Sequence, residues 1–237
     1  LRPELVISTE PTNLGVYRGQ RGRMEIGVAL RGVSAHGSAP ERGDNAAYKA
    51  ARGCLALEAL HPRLRDDAFL GKGSLAVTRI TSSGPSLCAI PDSAHLHIDR
   101  RLTAGETADT ALAEVGEALA GLDAAIEVLH YDGLAYTGLR YGMPKYYPTW
   151  VLPEDHPTVR EGAAVAAALT GEAPRVDRWT FSTNGVAING LHGIPVIGYG
   201  PGDEVLAHAP DEKVPVDHLV RASAFYTLFA LRMAQGD

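Results

Sequence analysis

Between Arg23 and Arg31 the chain alternates strictly, with Met24, Ile26, Val28 and Leu30 on one side and Arg23, Glu25 and Arg31 on the other. Successive side chains of a strand point to opposite faces, so this segment must be a half-buried strand. A Gly- and Pro-containing loop follows from Gly32 to Gly43. Asp44 or Asn45 then caps a helix running to about Leu60, which Pro62 ends; Ala46, Ala50, Cys54 and Leu57 recur along it at helical spacing. Ser74 to Thr81 and Ser93 to Leu102 read as two more strands, separated by Gly84-Pro85. Thr103 or Gly105 precedes a helix from Glu106 to about Ala120, striped by Leu112, Val115 and Leu119. Ala125 to Tyr131 is the last strand of the group. Strand, helix, strand, strand, helix, strand is the order of a split βαβ, or ferredoxin-like, unit.

The flanks read differently. Leu5 to Ser8 is a short buried strand whose end delivers Glu10, closed by Pro11. The start, Leu1-Arg2-Pro3-Glu4, has neither an initiator Met nor a signal-peptide pattern, and is expected of the middle of a domain. Residues 132–155 are loop-like and tyrosine-rich. Pro157 to Leu169 is an Ala-rich helix with Pro at its first turn. Val176 to Phe181 and Ile194 to Tyr199 are short apolar runs of the kind buried in a parallel sheet, and Val216 to Met233 is a closing amphipathic helix. The expected fold is therefore α/β: a fragment of one α/β domain (1–21), an inserted βαββαβ domain (22–135) and a further piece of the first domain (136–237).

Several residues could carry chemistry. Glu10 stands at a strand end, where carboxylates ligate metals or act as acids. His208 lies between Gly200-Pro201-Gly202 and Pro210-Asp211-Glu212, a loop in which small residues leave an imidazole accessible. His36, in Ser34-Ala35-His36-Gly37-Ser38, is similarly placed. Each alone is more often an ordinary surface residue. His95, His97 and Asp99 share a strand face and could form a metal site, although a merely solvated face explains the two histidines more simply. Gly71-Lys72-Gly73-Ser74 lacks the leading glycine of a phosphate loop, and Ser182 and Ser223 lack a nucleophile elbow.

A net charge of -6 gives no electrostatic reason for nucleic-acid binding, and no apolar run reaches the ~18 residues of a membrane span. Two cysteines, Cys54 and Cys88, are too few for a disulfide scaffold, so a cytoplasmic setting is expected.

Four stretches, taken in order, resemble the co-catalytic zinc peptidase and deacylase family that includes aminoacylase, succinyl-diaminopimelate desuccinylase and glutamate carboxypeptidase. They are Val6 to Thr12, Gly32 to Ala46, Cys88 through Arg101 to Glu106, and Gly198 to Glu212. The resemblance implies an amide hydrolase of N-acyl amino acids or small peptides. It uses water activated by two zinc ions, with cobalt or manganese as substitutes. It makes Glu10 a ligand of one metal and His208 a ligand of the other, so these two must converge at one sheet edge. It makes His36 an oxyanion donor reaching from the lid of a partner subunit in a homodimer. Arg101 would hold the substrate carboxylate; Gly200 and Gly202 would admit the substrate to the backbone, and Asn184 would offer a polar contact. Cys88 stands where the family has asparagine. The family's first metal histidine, bridging aspartate and Glu-Glu pair precede the stretch matching Glu10, so the resemblance implies an N-terminally truncated enzyme. The alternative is a non-catalytic dimeric binding or assembly protein that kept the lid.

Overall fold

The computed structural model describes residues 2–235. In chain order the elements are strands β1 (Val6–Ser8), β2 (Val16–Gln20) and β3 (Gly22–Arg31), helix α1 (Ala46–Leu60), strands β4 (Ser74–Ser83) and β5 (Ser93–Leu102), helix α2 (Ala108–Ala118), strands β6 (Ala124–Val128), β7 (His130–Tyr131), β8 (Met143–Pro144), β9 (Tyr146–Tyr147) and β10 (Trp150–Val151), helix α3 (Pro157–Thr170), strands β11 (Val176–Trp179) and β12 (Val196–Gly198), and helix α4 (Val216–Gln235). They form two compact units, residues 22–67 with 71–147, and residues 2–21 with 68–70 and 148–235.

The 22–147 unit is built around β3. That strand pairs antiparallel with β5 along its whole length, from Gly22 opposite Leu102 to Arg31 opposite Ser93. The sheet order is β4-β5-β3-β6, the ferredoxin-like arrangement that the element order predicts. Met24, Ile26, Val28 and Leu30 are buried against Ala46, Ala50 and Leu57 of α1 and Ala111 and Val115 of α2. Both helices thus pack on one face, and the charged residues of β3 and β5 occupy the other. Asn45 caps α1 by accepting from the amides of Ala47 and Tyr48. Helix α2 starts two residues later than expected. Thr107 caps it in a box with Thr110, and Glu106 turns inward to bond Arg100 at 2.5 Å and the Thr103 amide at 2.6 Å. Arg100 falls on the apolar face and is wholly buried, its charge balanced by Glu106 and by Glu114 at 3.0 Å.

The stretch expected to be loop forms short strands. Within 132–155, β8 makes a hairpin with β7, the end of the expected strand, and β9 joins β3 beside Arg23 and Met24. Two-residue strands have no alternation to announce them; backbone hydrogen bonds define them.

The other unit has a mixed sheet of order β1-β12-β2-β10, with β11 also on β2. β1 runs parallel to β12 and β11 parallel to β2, whereas β12 and β10 are antiparallel to β2. The purely parallel environment expected of 176–181 and 194–199 is therefore corrected to a mixed one. β2 escapes sequence reading because Arg18, Gly19 and Gln20 interrupt its apolar character. Gln20 is nevertheless fully buried, with its Oε1 accepting from the Thr183 amide at 2.9 Å and from the Thr183 hydroxyl at 2.6 Å. Trp179 packs edge-on to Tyr17, and Tyr199 stacks on Phe225 of α4 with ring centroids 3.7 Å apart. Among the described residues no helix is long and apolar enough to cross a membrane.

Candidate active site

The parallel neighbours β1 and β12 end side by side, with Ser8 opposite Gly198 and the Tyr199 amide donating to the Ser8 carbonyl at 3.1 Å. The loops that follow are tied together. The Gly200 amide donates to Thr12 Oγ1 at 2.9 Å, the Leu14 amide to the Gly200 carbonyl at 3.1 Å, and the Asn13 amide to the Gly202 carbonyl at 2.7 Å. A side chain on Gly200 would collide with the carbonyls of Thr9 and Glu10, so only glycine lets the two loops meet. Gly202 has φ of +82°, the left-handed region that glycine enters without strain. The two loops carrying Glu10 and His208 thus leave one edge of one sheet. Both side chains are exposed, and no described residue hydrogen-bonds either of them through its side chain. His208 also adopts a left-handed φ of 65°, a strained geometry for a non-glycine residue, and its amide donates to Glu212 Oε2 at 3.0 Å.

A polar cluster that sequence reading missed lies in the same unit. Glu204, four residues before His208, begins a short 3-10 turn, and its Oε2 is buried without a hydrogen-bond partner. It faces the Tyr17 hydroxyl, which accepts from Arg175 Nη2 at 2.5 Å; Arg175 also pairs with Asp177 at 3.3 Å. Burial first, then the Glu204 charge, pushes the Tyr17 hydroxyl up to about 12 against the pull of Arg175. Burial likewise raises the Glu204 carboxyl, with Arg175 opposing and Asp177 adding to the rise. No sequence signal marks this cluster, because Tyr17 lies on the unrecognised β2. Asn184 is exposed beside buried Thr183, and its backbone carbonyl accepts from the amides of Ala187 and Ile188.

In the 22–147 unit, His36 sits on an exposed loop bridged to Ala89. Its Nδ1 takes the Ser38 amide at 3.1 Å and lies 2.7 Å from the Ser38 hydroxyl. An amide can only donate, so Nδ1 must accept and the proton of the neutral ring sits on Nε2. His36 thereby presents a hydrogen-bond donor outward. Cys88 is exposed nearby, its carbonyl accepting from the Gly37 amide at 2.7 Å. Arg101 lies on the open face of the sheet, gripped by Asp99 through Nε at 2.6 Å and Nη2 at 3.3 Å. His97 is engaged by Thr78 at 2.5 Å and by Glu25 at 3.0 Å. Burial favours a raised Glu25 carboxyl, but hydrogen bonds from Lys145 and His97 and the charge of Arg23 together hold it below the usual range.

Among the described residues no group of three or more His, Cys, Asp or Glu side chains is arranged to hold a metal ion. The separate metal site conceivable at His95, His97 and Asp99 is therefore not formed. Glu10 and His208 offer one carboxylate oxygen and one imidazole nitrogen, donors whose chemistry suits zinc, from adjoining exposed loops. These are two donors, against the about four ligands that one ion needs.

Comparison with known proteins agrees with this architecture. Residues 18–126 match the model of the peptidase dimerisation domain. The chain is 52% identical over 233 residues to the uncharacterized protein YgeY of Escherichia coli, covering 98% of this chain and 58% of that protein. It is 28% identical over 223 residues to a putative succinyl-diaminopimelate desuccinylase of Mycobacterium tuberculosis, covering 94% of this chain and 56% of the relative. It thus spans somewhat more than half the length of these curated relatives. The fold is shared with the aminopeptidase PepT of Bacillus cereus, at a TM-score of 0.72 and 19% identity, over 95% of this chain and 56% of that one. Residues 18–126 thus match a peptidase dimerisation domain, and most of the chain is similar in sequence to a putative desuccinylase and to an acetylornithine deacetylase.

Proposed function

We propose that this chain is the lid-bearing share of a metal-dependent hydrolase that cleaves the amide bond of N-acyl amino acids or small peptides. The observation that carries the reading is the meeting of the Glu10 and His208 loops at one sheet edge, in a chain with a peptidase dimerisation domain. Relatives named as a desuccinylase and an acetylornithine deacetylase support acyl-amide cleavage as the reaction class.

Each residue then has a task. Glu10 and His208 each give one ligand to a metal pair, zinc or else cobalt or manganese, and the remaining ligands and the general base come from outside the described residues. When bound there, the metal would lower the pKa of a water and so supply the nucleophile. Gly200 and Gly202 keep the loop free of side chains, so its backbone can approach the substrate. His36 donates from Nε2 to the oxyanion of the tetrahedral intermediate in the site of a second subunit. Arg101 binds the substrate carboxylate, and Asn184 adds a polar contact. The homodimer forms through the lid unit. β4 is an edge strand with Ile80 53% exposed, and a groove of about 510 Å³ beside it is lined by Cys54, Leu55, Glu58, His61, Leu75 and Val77. Such an unpaired edge with an apolar flank is a ready template for a second copy. Free Cys54 and Cys88 suit a cytoplasmic setting.

The test is amine release by the full-length protein from N-acyl amino acids and dipeptides, with zinc added and with it chelated. Zinc-dependent release is expected. His208→Ala and Glu10→Ala should each lower kcat/KM by roughly 100-fold or more, through loss of the metal that lowers the water pKa. His36→Ala should lower kcat by about 10²–10³-fold, as loss of an oxyanion donor does. No release from any substrate with metal bound would sink the reading and leave a dimeric binding protein in its place.

A further inference from the structure

The open face of the lid sheet holds a charged arrangement that Arg101 alone does not explain. Directly paired residues of antiparallel strands point to the same face. Arg23 stands opposite Arg101, and Tyr147 opposite Arg23, so two guanidinium groups and a phenol form one row across three strands. The next row sets Glu25 opposite Asp99. Like charges placed directly opposite repel, so Arg23 and Arg101 need a reason to share a row.

Asp99 holds them together. Its Oδ1 accepts from Arg101 Nε at 2.6 Å; its Oδ2 accepts from Arg23 Nε at 3.1 Å and Arg101 Nη2 at 3.3 Å. Arg23 Nη2 donates to Glu25 Oε1 at 2.9 Å, and Lys145 Nζ donates to Glu25 Oε2 at 2.7 Å. Apart from His97, the cations Arg23, Arg101 and Lys145 face the carboxylates of Glu25 and Asp99, so one positive charge is left uncompensated. Arg79 and Glu127, of opposite charge, lie one row further on the outer strands β4 and β6. In both arginines the Nε and Nη2 atoms are engaged, whereas no described residue bonds Nη1. Both side chains remain about a third exposed, at 36% and 34%. The forks are fixed in orientation, each with one NH2 group to spare, beside an exposed charge of +1.

We infer that Arg23 and Arg101 together form a cradle for a single carboxylate of the substrate, with Asp99 as the positioning residue that aims both guanidinium groups. Two preorganised forks bind a carboxylate better than one mobile arginine, because less side-chain freedom is lost on binding. The cradle selects amides whose acyl or amine part ends in one free carboxylate, and it rejects the corresponding carboxamides. The inference rests on the reading that Arg101 meets the substrate, and it adds Arg23 and Asp99 to that site.

The test is a nuclear magnetic resonance titration of this chain, following the arginine Nε–Hε signals as N-acetylglycine is added, with N-acetylglycinamide as the uncharged probe. Saturable shifts at Arg23 and Arg101 are expected with the acid alone. Arg23→Gln should weaken the acid at least about fivefold; Arg23→Lys, which keeps the charge without the fork, should fall between it and the unaltered chain. Asp99→Asn should weaken the acid while leaving both arginines in place. Arg52→Gln, on the exposed side of α1, should change nothing. In the full-length protein Arg23→Gln should raise KM for an N-acyl amino acid and spare kcat, with no effect on the matching carboxamide. Equal shifts with acid and amide, or an Arg23→Gln chain that titrates like the unaltered one, would overturn the cradle. If the acid shifts both arginines yet the full-length protein hydrolyses nothing, the hydrolase reading fails and the cradle stands.

Discussion

The two units of this chain are stabilised by different means. The 22–147 unit has three ten-residue strands. They alternate apolar and polar residues, and two amphipathic helices lie on one apolar face; its core follows from period. The other unit has strands of two to five residues, too short to show a period, and its order rests on polar ties between distant residues. Gln20 bonds Thr183, Thr12 bonds Gly200, and the Trp179 indole donates to the Pro11 carbonyl at 3.1 Å. Regular alternation builds a scaffold, whereas irregular loops held by specific hydrogen bonds present the residues that do chemistry.

That contrast can be tested one unit at a time, because Trp150 and Trp179 both lie in the second unit. The largest effect is expected at Arg100. Arg100→Ala strips the partner from buried Glu106 and should destabilise the lid unit by about 3–5 kcal/mol. Amide exchange in β3 and β5 would accelerate before tryptophan emission changes, and simultaneous loss of both signals would mean that the units unfold as one. Next is Gln20→Ala, which leaves the buried Thr183 donors unpaired, at about 1–3 kcal/mol. Here tryptophan emission should shift at lower urea while exchange in the lid holds. An unchanged emission midpoint would show that packing, not the polar tie, secures β2.

Smaller effects come from pH. Glu25 has a lowered carboxyl, so its contribution is present above the unfolded value of 4.5 and is lost as pH falls through its folded one. Lys145→Met should therefore reduce the acid sensitivity of the lid, as followed by circular dichroism between pH 5 and 2. Tyr17 titrates at about 12 against an ordinary 10.0, so across that interval the native state keeps a proton the unfolded chain has released, and the tryptophan-bearing unit should lose stability as pH rises. Tyr17→Phe should remove that alkaline slope. The smallest effect is Asp217→Ala on the surface of α4, whose pair with Arg221 contributes no more than about 0.5 kcal/mol.

Much of the lid was legible. Met24, Ile26, Val28 and Leu30 announced β3, and Asn45 the start of α1. The sequence places the start of α2 at Glu106 because glutamate is a good helix former, but the buried charge of Arg100 claims that side chain. β2 was illegible because a buried glutamine looks polar until its partner, 163 positions away, is known. The motifs locate Glu10, His36, Arg101 and His208 as candidates, yet nothing in their spacing shows Glu204 facing Tyr17 or Arg23 beside Arg101.

By itself the sequence determined periods, caps and turn positions, since these depend on neighbours within a few residues and on the alternation of strand faces. Only the tertiary structure decided which distant groups meet: the carbonyl of Glu10 with Gly200, the hydroxyl of Tyr17 with Glu204, and two arginines on one aspartate. Strand register makes those pairings, and register is set by the burial of whole faces and by backbone bonds across the sheet, which no local stretch of sequence contains.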